Sequence, residues 1–291
     1  MNRVTILVVA LALASFGCDS SSEGAAGAGG NGGAGGGGNA QAVAIEFAAM
    51  VGDEDFVCGD TYDNLGANDT SLQLSDFRFY VQDVELQNAD DEWIPVELTE
   101  NMFQIDGVAL LDFEDGCGEV GNPNLNAEVV GLVPQGEYDG ARFTMGVPVE
   151  LNHADASTAP GPLGLTSMFW NWRGGYKFLR IDSGTFSMTD WRMHLGSTAC
   201  GMGDPTTPPE QPCANENRVD AELAPFDIEN DTVVADFAAL VDGAPIDENA
   251  EMTPVGCMSG LDDPDCGPIF ENLGLAFGDQ PAGTQIFFSV K

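Results

Sequence analysis

Histidine and positive charge are what this sequence has least of. Its 291 residues hold two histidines, and nine Lys plus Arg against 47 Asp plus Glu, for a net charge of −38. Binding to nucleic acid is excluded, because phosphate contacts need clustered Lys and Arg. Two histidines cannot build a three-His metal site. No CxxC pair occurs, so no thiolate zinc cluster is implied, and no GxSxG motif marks a nucleophile. Carboxylates are abundant, but nothing selects a pair for glycoside hydrolysis. Asp262-Asp263-Pro264-Asp265 and Asn122-Pro123-Asn124-Leu125-Asn126 offer oxygens to calcium, but neither fits an EF-hand, so both read as solvated loops. No stretch beyond the N-terminal leader is long and apolar enough to span a bilayer as a helix.

What is present begins with that leader. Arg3 precedes an apolar run from Val4 to Phe16, and Ser15-Phe16-Gly17-Cys18 approximates a lipoprotein box with Ser in the usual Leu position. Residues 1–17 read as a signal peptide, and Cys18 as a lipid-attachment site. Residues 18–40 are dominated by glycine and read as a flexible linker. The expected molecule is an exported, periplasmic or cell-surface bacterial lipoprotein, anchored to a membrane without spanning it. The acidic surface serves solubility and mutual repulsion.

The whole chain is 43% hydrophobic, enough for a sizeable core, which is expected in residues 41–291 with a C-terminal extension from about residue 241. Apolar and polar positions alternate in Leu72–Ser75, Arg78–Val84 and Glu137–Val149. Phe226–Ile228, Thr232–Phe237 and Gln285–Val290 read as further short strands. Asp112–Cys117, Thr158–Gly164 and the proline-rich Met202–Asn217 read as loops, and no long helix or repeat is found. The expected fold is all-β, an antiparallel β-sandwich with long disulfide-pinned loops. Apart from Cys18, six cysteines remain. Proximity suggests Cys200 with Cys213 and Cys257 with Cys266, leaving Cys58 with Cys117, one choice among the fifteen connectivities that six cysteines allow.

His153 and His194 each end an apolar run where a loop begins, so both can meet at one end of a sandwich. Neutral imidazoles suit copper, completed by a soft donor. Alone, each is equally a packing or turn residue. A second cluster is Met168-Phe169-Trp170-Asn171-Trp172-Arg173-Gly174-Gly175-Tyr176-Lys177-Phe178. Gly174-Gly175 signals a two-residue hairpin, with Trp172 opposite Lys177 and Trp170 opposite Leu179. A short helix ending at the glycines is the alternative. Arg173, Lys177, Arg180 and Arg192 gather here as a local positive patch, either paired to nearby carboxylates or exposed as a docking surface.

The ordered motifs support a family assignment. They run Cys58, Asp76-Phe77-Arg78-Phe79-Tyr80-Val81, Leu111-Asp112-Phe113-Glu114, Cys117, Gly146-Val147-Pro148, Leu151-Asn152-His153, Met168-Phe169-Trp170-Asn171-Trp172, His194-Leu195-Gly196-Ser197-Thr198-Ala199-Cys200 and Cys213. Over roughly residues 42–240 this resembles the MbnP family of methanobactin-associated periplasmic copper proteins, also described as the metallo-mystery pair four-Cys family. The resemblance implies an exported, β-rich protein that is not itself an enzyme. It implies copper bound by His153 and His194 beside a tryptophan oxidised to kynurenine, Trp170 or Trp172, with Trp191 an outsider. It implies a MauG-like di-haem partner of the cytochrome c peroxidase type, which performs that oxidation. The family cysteines fall on Cys58, Cys117, Cys200 and Cys213, so Cys257 and Cys266 lie outside the pattern. The alternatives are a secreted structural or adhesion sandwich without a metal site, and a carboxylate hydrolase with a deep cleft.

Overall fold

One strand of 19 residues, Thr70–Asn88, organises the molecule. It is seen in a computed structural model that describes residues 39–117, 121–184 and 191–291. The leader, the lipid site at Cys18 and the linker up to residue 38 lie outside the described residues. Alternation gives the long strand two faces: Phe77, Phe79 and Val81 point one way, Asp76, Arg78 and Tyr80 the other. All six are buried. A sheet covered on both sides explains why its central strand is so poor in exposed polar residues.

The long strand lies in the middle of the larger sheet, whose path is Arg192–Leu195, Leu179–Ser183, Thr70–Asn88, Tyr138–Met145 and Val219–Leu223. Val108–Asp112 also pairs with it. The second sheet runs Phe288–Val290, Thr232–Asp236, Ala40–Val51, Glu128–Pro134 and Glu97–Leu98. The sheets meet through aromatic rings. Phe47 of the second sheet packs edge-on to Phe79 and Phe143 of the first at 6.1 and 5.4 Å, and Phe288 meets Phe143 at 4.9 Å. Each buried ring stabilises by about 1.5–3 kcal/mol through apolar burial. The fold is the expected all-β sandwich with mostly antiparallel strands. Its exception is Ala40–Val51, which runs parallel to Thr232–Asp236. The intervening chain passes through the other sheet, so no tight turn constrains that pair.

Three disulfides join Cys58 to Cys117, Cys200 to Cys213 and Cys257 to Cys266. The segment after residue 241 belongs to the core: Cys257, Cys266, Phe270, Phe287 and Phe288 pack with the sheet residues. Among the described residues no helix is long and apolar enough to cross a membrane.

Two local expectations are corrected. Phe226–Ile228 is not a strand, because the Asp227 carboxylate accepts from the Glu229 N–H at 2.9 Å and from Asn230 Nδ2 at 2.8 Å, which closes a turn. The tryptophan hairpin has a different register. Phe169 pairs with Tyr176 and Asn171 with Gly175, so Trp172 is not opposite Lys177, nor Trp170 opposite Leu179. The cause is Asn171, whose Oδ1 accepts from the N–H groups of Arg173 and Gly174 at 3.0 and 2.8 Å. That side chain fixes a loop of Trp172-Arg173-Gly174 in place of a two-glycine turn.

Candidate functional site

The second face of the larger sheet carries charge where a core would be apolar. Strand register aligns Asp112, Arg78, Arg180 and His194 in one row across four strands. Asp76 and Asp182 face each other in the next row. Arg78 holds Asp76 through two nitrogens, one bond at 2.8 Å, and lies 3.5 Å from Glu114. Arg180 bridges Asp76 at 3.0 Å and Asp182 at 2.9 Å. Ser167 closes the cluster from above: its carbonyl accepts from Lys177 Nζ at 2.8 Å and Arg180 Nη1 at 2.9 Å. Burial, reinforced by Arg180, lowers the Lys177 ammonium to about 8.

This geometry corrects the idea of a four-residue docking patch. Lys177 and Arg180 are buried, Arg180 paired with Asp76 and Asp182 and Lys177 held by the Ser167 carbonyl, while Arg192 is exposed and Arg173 half-buried. A buried guanidinium is costly without a partner, and the carboxylates gather around Arg78 and Arg180.

Burial lifts Asp112 to about 7, against the pull of Arg78 and the Asn122 amide. Its folded pKa stands above the ordinary aspartate value, so the folded protein holds the proton more tightly than the unfolded chain. The stability it contributes is complete below about pH 4 and is lost as pH rises through about 7. Asp112→Asn is expected to flatten unfolding free energy against pH across that window, removing up to about 1.4 kcal/mol per pH unit. Denaturant titrations from pH 4 to 8 check it, and an unchanged slope would assign the dependence elsewhere.

At the end of this row His194 is buried, and its Nε2 donates to Asp182 Oδ1 at 2.7 Å. Burial pulls its pKa below the ordinary imidazole value despite Asp182. Burial works against the charge of Asp182, but the His194 hydrogen bond and Arg180 hold that carboxyl well below the usual range. With Nε2 carrying the hydrogen, Nδ1 keeps its lone pair and has no partner among the described residues. The segment after residue 241 supports this strand: Cys257 exchanges main-chain hydrogen bonds with Arg192 and His194, and Ser259 Oγ donates to the His194 carbonyl at 2.9 Å.

His153 ends the helix Val149–Asn152. Its Nδ1 lies 3.1 Å from the Trp172 carbonyl, an acceptor, so Nδ1 carries the hydrogen and Nε2 the lone pair. Burial, with Arg218 and Arg173 nearby, lowers its pKa as well, against the Trp172 carbonyl. Nε2 faces Asn152 Nδ2 at 3.3 Å and Cys213 Sγ at 3.4 Å. Asn152 ties this corner together, since its Oδ1 accepts from the Tyr176 N–H at 3.0 Å and its amide reaches Ser197 Oγ at 3.4 Å. Gly175, at φ +76°, is needed there, because a Cβ would stand 2.6 Å from Asn152 Oδ1.

The tryptophans divide by environment. Trp170 is half-buried with its ring against Gly196, two residues beyond His194, where a Cβ would lie 2.5 Å from the ring. Trp172 is exposed at the hairpin tip while its carbonyl orients His153. Trp191 is 3% exposed and packs on Phe237 at 5.6 Å, as a core residue. The hairpin of Trp170 and Trp172 therefore touches the surroundings of both histidines. No hydrogen bond joins the two rings to each other among the described residues. No trio of His, Cys, Asp or Glu donor atoms within 4.8 Å contains both. Asp182, Asn152 and Ser259 escaped sequence reasoning. The alternation Leu179-Arg180-Ile181-Asp182 signals Asp182, since it sets Asp182 beside Arg180 on one face; nothing in the sequence singles out Ser259.

A family model described as MbnP matches residues 40–259. The solved structure of MbnP from Methylosinus trichosporium is similar, with a TM-score of 0.77 and 34% sequence identity, over 87% of this chain and 98% of that one. No curated protein matches.

Proposed function

The chain belongs to the MbnP family, and from that premise we propose that it is an exported copper-binding protein and not an enzyme. His153 and His194 hold the metal with an oxidised tryptophan of the Trp170/Trp172 pair. A MauG-like di-haem protein of the cytochrome c peroxidase type supplies the oxidising equivalents, and a lipid at Cys18 anchors the chain. Oxidation of the indole to kynurenine exposes an aryl amine and a carbonyl, donors that tryptophan lacks.

The observation that carries this reading is the state of the two imidazoles. Each donates one N–H to a fixed oxygen; Nδ1 of His194 has no partner among the described residues, and Nε2 of His153 meets the Asn152 amide at 3.3 Å and the Cys213 sulfur at 3.4 Å. A carboxylate or carbonyl behind a ligating imidazole sets its tautomer and raises its basicity. Two such rings with an aromatic amine or carbonyl fit copper, and Cu(I) accepts few ligands. When bound, copper would bring electron-transfer chemistry or be carried as cargo; the chain's own part is to orient the rings and exclude water from His194.

Asp182 gives the direct test. Asp182→Asn keeps the shape but weakens the orientation of the His194 ring, so copper affinity is expected to fall about 10–100-fold. The measurement is competition against a chromogenic copper(I) chelator, with near-ultraviolet circular dichroism to verify folding. An unchanged affinity in a folded variant would remove His194 from the ligand set.

A further inference from the structure

His153 has a second set of neighbours that the copper reading does not use. The donor atoms of His153, Cys200 and Cys213 all lie within 4.8 Å of one another, with Cys213 Sγ 3.4 Å from His153 Nε2. The two cysteines are bonded to each other, so as they stand they offer no thiolate. We infer that reduction of Cys200–Cys213 creates a second metal site at His153, in which two thiolates and one imidazole take a soft d10 ion such as Cu(I).

The setting of this disulfide differs from that of the other C-terminal pair. Cys257 and Cys266 are fully buried and packed into the apolar core. Cys200 and Cys213 instead close a loop of 13 residues' separation whose intervening positions 201–212 are almost all exposed, with Met202 at the surface. Cys213 is itself buried, so what distinguishes this pair is that it lies under an exposed loop and not inside the apolar core. Backbone ties keep the two sulfurs together without the bond: Thr198 and Asn215 pair as a two-way bridge, and the Ala214 N–H donates to the Ala199 carbonyl at 3.2 Å. Charge also suits the reduced form. Arg173 Nη1 donates to the Cys200 carbonyl at 3.2 Å, and Arg218 lies close enough to His153 to act on its charge. In a molecule of net charge −38, this corner holds two guanidiniums, Arg173 on the Cys200 carbonyl and Arg218 paired with Glu216 at 3.4 Å.

The step balances simply. The disulfide takes two electrons and two protons from a dithiol reductant, which leaves as its own disulfide. The ion then replaces both thiol protons, which pass to solvent. Two thiolates and an imidazole match Cu(I), which soft sulfur ligands select. The site shares His153 with the proposed function but needs neither His194 nor an oxidised tryptophan, so the two can fail separately.

The test uses the full exported chain, freed of metal, with Cu(I) itself as probe. Wild type and Cys200→Ser/Cys213→Ser are compared, each untreated and after a phosphine reductant, in competition with a chromogenic Cu(I) chelator. Reduction is expected to add one equivalent of Cu(I) in wild type and none in the double variant, and His153→Ala is expected to weaken that equivalent by about tenfold or more. His194→Ala is expected to keep it. Peptide mass spectrometry after alkylation of reduced wild type gives a reading independent of any variant's folding: Cu(I) should shield Cys200 and Cys213 from the reagent. Equal labelling with and without Cu(I), or an added equivalent that survives in the double variant, would overturn the site. Copper binding by untreated protein would then still stand or fall on the histidines alone.

Discussion

Arg78→Met is expected to destabilise the protein by about 3–5 kcal/mol. The guanidinium is fully buried and holds both oxygens of Asp76, and it faces Glu114, itself fully buried. Methionine fills much of the volume but leaves these buried carboxyl groups without their guanidinium partner. Arg180 still reaches Asp76, which limits the loss but leaves Glu114 with backbone and amide donors only. Removing one partner of a buried pair is far more costly than removing a surface pair. The internal comparison is Arg142→Met, whose partner Glu85 is also partly exposed; it is expected to cost about 0.2–1 kcal/mol. Denaturant unfolding of both variants measures the difference. Equal small losses would mean that Arg78 is a spectator and that apolar contacts alone hold the charged face together.

The second large effect concerns copper. His153→Ala and His194→Ala are each expected to abolish stoichiometric copper, a loss beyond the roughly 10–100-fold that removing a supporting hydrogen bond produces. The two variants differ in structural consequence. His153 is half-buried at a helix end, so its removal leaves the core intact. His194 is buried, but Asp182 keeps Arg180 as partner after its loss. Both folded variants can therefore be dialysed against a weak chelator and their copper quantified by elemental analysis. Full retention by either one would exclude that histidine.

Much of the fold was legible because the two faces of the strands differ in chemistry. Asp76-Phe77-Arg78-Phe79-Tyr80-Val81 reads directly as a strand, and its aromatic face makes the contact between the sheets. What was not legible was that the polar face is also buried. Alternation reports which side a residue occupies, not whether a layer of loops will cover that side. Hence the sequence left Lys177 and Arg180 open as either paired or exposed cations, although Asp76, 104 positions before Arg180 in the chain, pairs with it beneath the covered face. The tryptophan hairpin misled for a local reason. A glycine pair is a strong turn signal, but Asn171 outcompetes it by capping two N–H groups. The histidines stood out by scarcity, whereas their supporting partners come from tertiary structure: Asp182 across one strand pair, and Trp172 from the tip of a hairpin whose turn was misplaced.

The most direct test of the central claim is peptide mass spectrometry on protein purified from its native host, with copper quantified on the same sample. One oxygen gained and one carbon lost are expected on the peptide carrying Trp170 and Trp172, with copper near one per chain. No such change is expected at Trp191, which is sealed in the core against Phe237. Unmodified Trp170 and Trp172 in a copper-free protein would contradict that claim.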